Sequence, residues 1–298
     1  MVSTNRLDTK ARAQVIRCLA EGNSIRSTVR ITGVAKNTII KLLLDVAEVC
    51  REFQDATIRN LTCKRIEADE IWSFCGAKEK NAKPEKKNQG WGDVWTWTAI
   101  DADSKLVVSW LVGDRTSACA TKFMKDVAGR VKNRIQLTTD GFKPYFWAVD
   151  DAFAGEIDYA VLVKIYGKLP GNDQETRYSP AQCIGMKMDI VNGDPDLSLA
   201  STSYVERQNL TMRMSMRRFT RLTNGFSKKV ANHAAAVSLY FFHYNFCRVH
   251  QTLRVTPAME AGIADHVMDH EELIAMMDAL APKAATRGPY KKKAANSN

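Results

Sequence analysis

The sequence lacks any apolar run long enough to cross a lipid bilayer. Its longest such run, Ala234 to Phe242, has nine residues and includes a serine, whereas a transmembrane helix needs about 20 residues. No apolar stretch follows the first residues, Met1 to Arg6, so a secretory signal is not expected either. These absences predict a cytoplasmic protein that has no membrane partner.

Signals for paired cysteines are also missing. The seven cysteines are odd in number, are scattered along the chain and contain no Cys-x-x-Cys pair. This pattern excludes a disulfide framework and a zinc knuckle, and it predicts free thiols in a reducing compartment. The cysteines are Cys18, Cys50, Cys63, Cys75, Cys119, Cys183 and Cys247.

Positive charge is what the sequence has in excess. Of the 298 residues, 45% are hydrophobic and 26% are charged, which are ordinary globular values and exclude a wholly disordered chain. The net charge is +10, and basic residues concentrate in three blocks, at 77–93, 201–230 and 283–298. Three basic blocks in one chain favour a polyanionic partner over ordinary solvated surfaces.

Residues 1–60 show helical patterns and no strand pattern. Helices are predicted over Asp8 to Glu21, over Ser24 to Ile31, and from about Ala35 onward, with a glycine turn before the third. This layout is typical of a helix-turn-helix DNA-binding domain, although a plain three-helix bundle has the same pattern. In the DNA-binding interpretation, the third helix contacts DNA through residues of its first turns, which are Lys36, Asn37, Thr38 and Lys41.

Residues 63–265 alternate between strand and helix patterns, which predicts one large α/β domain. Its expected fold is a mixed five-stranded sheet flanked by helices. Residues 167–200, with four glycines and three prolines, predict a loop insertion, and residues 266–298 predict a C-terminal helix and a basic disordered tail. The predicted strands are Arg65 to Cys75, Val94 to Asp101, Leu106 to Val112, Ile135 to Thr139 and Tyr159 to Tyr166.

Three acidic residues occupy positions where such a sheet exposes a cleft. Asp69 lies inside the first strand, Asp140 follows the fourth strand, and Glu206 lies near the start of a later helix. Carboxylates from separate elements can hold two divalent cations about 3.5–4 Å apart, as in enzymes that transfer phosphoryl groups. Hard oxygen ligands of this kind suit Mg²⁺.

Each of these acids also has a simpler explanation. Strand alternation does not choose between Asp69 and Glu70, because only one of them faces a given side of the sheet. Asp140 begins an ordinary glycine turn, and Ser203 with Glu206 matches a capping box at a helix start. The hypothesis of a catalytic site therefore depends on all three acids occurring in this order on one sheet.

A basic series follows Glu206. Arg213, Arg217 and Arg221 come at spacings of seven, four and four residues, which predicts one helix face continuous with the glutamate. Guanidinium groups there would neutralise and position a DNA strand at its phosphates. Arg217, Arg218 and Arg221 are therefore predicted DNA contacts, although ion pairs within the fold could use the same side chains.

Five segments of the chain carry a family resemblance. They are ADEIWSF at 68–74, GWGDVWTW at 90–97, TDG at 139–141, YVERQNLTMR at 204–213 and FHYNFCRVHQTLRVTP at 242–257. Together they resemble insertion-sequence transposases of the DDE type, and most of all the type-one insertion-sequence family. The likeness extends over nearly the whole chain, and the segment around the glutamate is its most specific part.

The resemblance implies an RNase H-like catalytic core. Asp69, Asp140 and Glu206 would be its catalytic and metal-binding residues, Arg213 would be a further catalytic residue, and Asp69 is selected over Glu70. Two Mg²⁺ ions, with Mn²⁺ as a substitute, would activate the attacking hydroxyl and stabilise the leaving oxygen during DNA cleavage and strand transfer.

The implied partners are double-stranded DNA, at the element's ends and at the target, and a second copy of the chain. At least a dimer is expected because two DNA ends must be joined, and the expected location is the nucleoid in the cytoplasm. Related proteins can carry a cysteine zinc finger before the helix-turn-helix, and the cysteine spacing here offers none. Recognition of the element's ends would therefore depend on residues 8–50.

Other functions are compatible with parts of the sequence. A tyrosine recombinase would use Tyr204 or Tyr244, but the arginines and histidine that such an enzyme needs do not converge in the sequence. A catalytically silent helix-turn-helix regulator, or an RNase H-like nuclease that only hydrolyses, would each use part of the same chain. His243, Cys247 and His250 could face one way on a helix as a soft-metal site, although the flanking aromatic residues favour a packed helix.

Overall fold

The computed structural model describes residues 7–167, 182–220 and 223–280. Arg221, the basic tail and the middle of the predicted loop insertion lie outside these residues. None of the helices in the described ranges is both long and apolar enough to cross a membrane.

The N-terminal region forms three helices, α1 (Thr9–Ala20), α2 (Ile25–Thr32) and α3 (Lys36–Thr57). Side-chain caps begin the first two: Asp8 accepts from the backbone N–H of Ala11, and Ser24 accepts from that of Ser27. Gly33 ends α2 with a φ of 71°, a left-handed conformation that glycine adopts without strain. The helices stand where the sequence predicts them.

Six strands form one mixed sheet: β1 (Arg65–Cys75), β2 (Gly92–Asp101), β3 (Val107–Gly113), β4 (Gln136–Thr139), β5 (Asp158–Gly167) and β6 (Gln182–Asn192). Their order across the sheet is β3-β2-β1-β4-β5-β6. β4 is parallel to both β1 and β5, and the pairs β1–β2, β2–β3 and β5–β6 are antiparallel. The prediction of a mixed α/β sheet is therefore confirmed.

The predicted number of strands was wrong, because the presumed loop insertion contains β6. This strand pairs with β5 in antiparallel register, for example Met188 with Leu162 and Met186 with Lys164. Glycines and prolines on both sides of the strand gave residues 167–200 a loop composition. Pairing with β5 overrides that local composition, since a strand at a sheet edge needs a neighbour on one side only.

Seven further α-helices follow in the described part of the chain, namely α4 (Pro84–Lys87), α5 (Ser117–Ala128), α6 (Pro144–Phe153), α7 (Ser203–Ser215), α8 (Val230–Phe242), α9 (Pro257–Glu260) and α10 (His270–Leu280). α5 and α6 cover one face of the sheet, where Trp97 contacts Phe123 and Tyr145. α7 and α8 cover the other face, where Val205 and Phe241 belong to one buried cluster with Ile71 of β1.

The N-terminal helices share a hydrophobic core with the rest of the chain. One cluster of buried residues extends from Ala13 in α1, through Leu43 in α3 and Phe242 in α8, to Ile274 in α10. α3 packs along α8, and α1 packs along α10. The predicted boundary near residues 60–63 falls between α3 and β1, at a point where the chain changes from helix to strand.

Candidate active site

β1 and β4 bring Asp69 and Asp140 side by side. The two strands are parallel neighbours, and Ala68 pairs with Thr139. The residue that follows each of this pair in the chain is an aspartate, Asp69 after Ala68 and Asp140 after Thr139, so the two aspartates lie at the same level of the sheet. β4 ends at Thr139 whereas β1 continues to Cys75, so the aspartates stand beside the gap at the carboxyl end of β4.

Glu206 is positioned by the docking of α7 onto β1. Glu67, a buried residue of β1, accepts hydrogen bonds from the backbone N–H groups of Tyr204 (2.7 Å) and Val205 (3.0 Å) at the N-terminus of α7. A carboxylate in this place satisfies free N–H groups and faces the positive end of the helix dipole. α7 begins at Ser203 with Thr202 as its N-cap, so Ser203 and Glu206 do not occupy the positions of a capping box. The Glu206 carboxylate accepts from the Thr202 hydroxyl instead.

The predicted catalytic residues Asp69, Asp140, Glu206 and Arg213 line one cleft of about 890 Å³. They come from β1, from the end of β4 and from α7, which are far apart in the sequence. Four acidic and four basic side chains belong to the lining, so its formal charges balance. The other charged members are Glu70, Arg115, Lys143 and Lys164.

Asp69 has a strongly raised pKa. Burial, followed by the negative charges of Glu70, Asp140 and Glu206, raises the pKa of Asp69 to about 7. The side-chain amide of Asn209, one turn after Glu206 on α7, donates to Asp69 Oδ2 at 2.8 Å. Asp69 therefore lies where negative charge accumulates, as is common for functional carboxylates.

Glu70 also lines the cleft, although strand alternation directs it to the opposite face of β1 from Asp69. Its carboxylate accepts from Arg115 Nε at 2.6 Å and from the Tyr145 hydroxyl at 2.9 Å. Burial, followed by the charge of Asp140, raises the pKa of Glu70. The Glu70 carboxylate is thus bound by an arginine and a tyrosine of the fold, whereas Asp69 Oδ2 accepts from the Asn209 amide.

Lys164 is a site residue that the sequence reasoning missed. Its Nζ lies 2.5 Å from each carboxylate oxygen of Glu206, and Thr202 Oγ1 donates to Glu206 Oε1 at 2.7 Å. In this arrangement the oxygens of Asp69, Asp140 and Glu206 do not all lie within 4.8 Å of one another. An ammonium group inside the largely apolar strand β5 is unusual, and it could have indicated Lys164.

The predicted single helix face of arginines is wrong. α7 ends at Ser215, and Met216 is extended, with φ −125° and ψ 109°. Arg213 therefore lies on α7, whereas Arg217 lies in the short 3-10 turn that follows. Arg221 is outside the described residues.

A basic groove of about 780 Å³ lies between the N-terminal helices and the segment after α7. The charged residues of its lining are all basic, and they are Arg26, Lys36, Arg217, Arg218, Lys228 and Lys229. The groove thus brings together Lys36, from the N-terminal helices, and Arg217, from the basic block at 201–230, and both are predicted DNA contacts. Asn37 and Thr38 are exposed beside Lys36 in the first turn of α3.

Two predicted DNA contacts are held by partners within the protein. Arg218 donates to Ser227 Oγ at 2.9 Å, and burial lowers the pKa of its guanidinium. Lys41 forms an exposed ion pair of 2.6 Å with Asp45. Arg217 is exposed, so it is the better placed of the two neighbouring arginines to meet a phosphate.

No family model matches the chain, and no curated protein matches it. Among solved structures, the chain is similar to the piggyBac transposase in a cryo-EM structure of its synaptic complex with hairpin DNA. The alignment covers 93% of this chain and 73% of that chain, with 11% sequence identity and a TM-score of 0.40. A likeness of this size does not assign a function.

Proposed function

We propose that this chain is a DNA transposase of the DDE type, which cleaves DNA strands and joins them to new positions by phosphoryl transfer. The observation that carries the proposal is the convergence of Asp69, Asp140, Glu206 and Arg213 on one cleft. Catalysis of phosphoryl transfer depends mainly on charged groups held in position around the phosphate, and carboxylates and guanidinium groups provide such charges. The sheet that holds these residues is proposed to be an RNase H-like core.

The donor set of the cleft fits divalent cations. Carboxylate oxygens are the ligands that Mg²⁺ prefers, and burial together with the neighbouring carboxylates raises the pKa of Asp69, an effect that a bound cation would offset. Asp69, Asp140 and Glu206 are the residues proposed to hold two Mg²⁺ ions. The chemistry that such ions supply when bound is activation of the attacking hydroxyl group and stabilisation of the leaving oxygen.

The remaining cleft residues have roles that need no bound ion. Asn209 fixes the orientation of the Asp69 carboxylate. Arg115 and Arg213 line the cleft with guanidinium groups, which bind phosphate oxygens in a planar, directed way. Lys164 neutralises Glu206 in the free protein and must move away before Glu206 can take another cation.

The basic groove supports binding of DNA beside the cleft. Arg213 of the cleft and Arg217 of the groove lie close together in the chain at the end of α7, so we expect the two surfaces to be neighbours. A strand whose phosphates follow the groove would reach the carboxylates directly. Sequence recognition is assigned to the exposed first turn of α3, with Asn37 and Thr38 as the side chains that can contact base edges.

A tyrosine nucleophile has less support. Neither Tyr204 nor Tyr244 lines the cleft. Tyr244 is buried and donates to the carbonyl oxygen of Lys105 at 3.1 Å, and the ammonium of Lys105 lies over the ring of Tyr204.

The test is an assay for new DNA junctions. Purified protein is incubated with Mg²⁺ and a plasmid that carries its own gene with flanking DNA, and the junctions formed are sequenced. Asp140→Asn is compared with Asp189→Asn, a matched control in which the aspartate is half-exposed on β6 and pairs with Lys187 outside the cleft. We expect junctions at fixed positions for the wild type and the control, and none for Asp140→Asn.

Other outcomes of this assay would replace the proposal. Random nicks that disappear in Asp140→Asn would indicate a nuclease that only hydrolyses. Salt-sensitive binding to the flanking DNA without any cutting would indicate a regulator. Equal cutting by all three proteins would show that the cleft is not the active site.

The groove is tested by Lys228→Glu. If Lys228 contacts a phosphate, binding weakens for duplexes of any sequence, and the slope of log K against log[salt] falls by about one. Lys132→Glu is the control, because Lys132 is exposed and lies outside both the groove and the cleft. An unchanged slope in Lys228→Glu would remove the groove from the proposed DNA path.

A further inference from the structure

His243, Cys247 and His270 meet at a junction of helices outside the cleft. One potential ligand atom from each residue lies within 4.8 Å of those of the other two. His243 and Cys247 are the ends of a π-helical turn that continues α8, and His270 is the first residue of α10. The sequence spacing had indicated His250 as the third member, but the helix ends at Cys247 and α10 brings His270 to the cluster instead.

Both histidines are buried, and each has an unsatisfied ring nitrogen. His243 is 9% exposed and His270 is 5% exposed. Within the described residues, His243 Nδ1 and His270 Nε2 have no hydrogen-bond partner. Buried polar atoms in proteins are nearly always paired, so two unsatisfied nitrogens on neighbouring rings, with centroids 5.3 Å apart, indicate a missing partner.

The surroundings of the cluster orient its side chains. Glu21, at the end of α1, places Oε1 3.6 Å from His243 Nε2, which leaves Nδ1 for another partner. A carboxylate on the second nitrogen is a common companion of metal-bound histidine. His270 is fixed by a capping box, in which Asp269 N–H donates to Glu272 Oε1 (3.1 Å) and Glu272 N–H donates to Asp269 Oδ1 (2.9 Å).

We propose that His243, Cys247 and His270 bind one Zn²⁺ ion, which fastens the π-helical turn to the start of α10 and, through Glu21, to the end of α1. Imidazole and thiolate are the ligands that zinc prefers in proteins. Ligand atoms of a tetrahedral zinc site lie about 3.3–3.7 Å apart, so rotations of the three side chains complete the site. Its fourth position is left to water, because Glu21 faces the other ring nitrogen of His243.

This site differs in chemistry from the carboxylate cleft, and the inference does not rest on the proposed function. Nitrogen and sulfur ligands select zinc, whereas the oxygen ligands of the cleft suit magnesium. Cys247 is only partly buried, which leaves a route by which an ion can enter. The role assigned to the ion is structural.

The test uses cobalt(II) as a spectroscopic probe of the full-length protein after removal of metal with a chelator. We expect one ion per chain to give the visible bands of tetrahedral cobalt and a thiolate charge-transfer band, both lost when zinc is added. Cys247→Ser should lose the charge-transfer band, and His270→Ala should bind cobalt at least about tenfold more weakly. His266→Ala and Cys119→Ser are matched controls, because neither residue belongs to the cluster.

Absence of the charge-transfer band from the wild type would overturn the proposal whatever the variants do. The same holds if Cys247→Ser keeps the band, or if His266→Ala weakens binding as much as His270→Ala. Circular dichroism of each variant establishes that it is folded. A second readout is thermal unfolding, in which zinc should raise the Tm of the wild type and of the controls but not that of Cys247→Ser.

Discussion

Lys164 should compete with metal ions for Glu206, and Lys164→Met measures that competition. The ammonium lies 2.5 Å from both carboxylate oxygens, and the two side chains remain 24% and 42% exposed. Exposed ion pairs contribute about 0.2–1 kcal/mol, and hydrogen bonds to charged groups contribute about 1.5–3 kcal/mol. A half-exposed pair lies between these limits, at about 1–2 kcal/mol. Because an ion at Glu206 must displace the ammonium, Lys164→Met should bind Mn²⁺ about 5–30-fold more tightly.

The assay is a calorimetric titration of chelator-treated protein with Mn²⁺. Lys187→Met is the matched control, since Lys187 also lies on a strand and pairs with an acid, Asp189, but stands outside the cleft. It should keep the wild-type Kd, and Asp69→Asn should lose the binding event that belongs to the cleft. Unchanged or weaker Mn²⁺ affinity in Lys164→Met would refute the idea that the ion pair occupies a metal position.

Three further changes test the fold around the site. In the folded, metal-free chain the pKa of Asp69 is about 7, against an ordinary 3.8. The protonated carboxyl therefore adds to the free energy of unfolding fully below about pH 4, and this contribution is lost as the pH rises through 7. Asp69→Asn should therefore gain stability relative to the wild type across that window in urea unfolding, and a difference independent of pH would contradict this. Asn245→Leu leaves a buried N–H and C=O of β3 unpaired, so it should lower the free energy of unfolding by about 2–4 kcal/mol, and a loss near zero would show that the pairing is dispensable. Gly22 has a φ of 79°, and a Cβ added there would lie 2.1 Å from the carbonyl oxygen of Ser215. Gly22→Ala should therefore lower the free energy of unfolding by about 1–3 kcal/mol in the same assay. The loss should be clearly smaller for Gly262→Ala, where φ is 69° and no atom lies within 4 Å of the added Cβ.

The spacing of apolar residues predicts the N-terminal helices, and the content of Ile, Val and Trp predicts the leading strands of the sheet. β1 and β2 are buried on both faces over much of their length, so their composition was a better signal than alternation. β6 was missed although Ile184, Met186, Met188 and Ile190 alternate along it. The glycines and prolines on both sides of these residues gave the segment a loop composition, which outweighed the alternation in the prediction. Only the pairing with β5, a contact between strands, gives that segment a defined structure.

The sequence predicted three acids that line the candidate site and one of its cations, Arg213. The parallel register of β1 with β4 explains why Asp140 lies next to Asp69. Arg115 and Lys164 reach the cleft from other strands or their ends, so no local spacing connects them with their carboxylate partners. The choice of Asp69 over Glu70 came from the family resemblance, because strand alternation places the two residues on opposite faces of β1 and does not show which face α7 covers.

Because α3 packs against α8, the N-terminal helices can complete their packing only late in translation. Phe53 stacks edge-on against Phe242 at 5.6 Å between ring centroids, and Ser238 donates to the carbonyl oxygen of Ala47 at 2.9 Å. The partners of the N-terminal helices are thus synthesised about 190 residues after them. Until α8 leaves the ribosome, the part of α3 that packs against α8 stays exposed, and a nascent chain in that state is a target for chaperones and proteases. A product truncated before α8 should therefore be cleared rather than accumulate as a free N-terminal fragment.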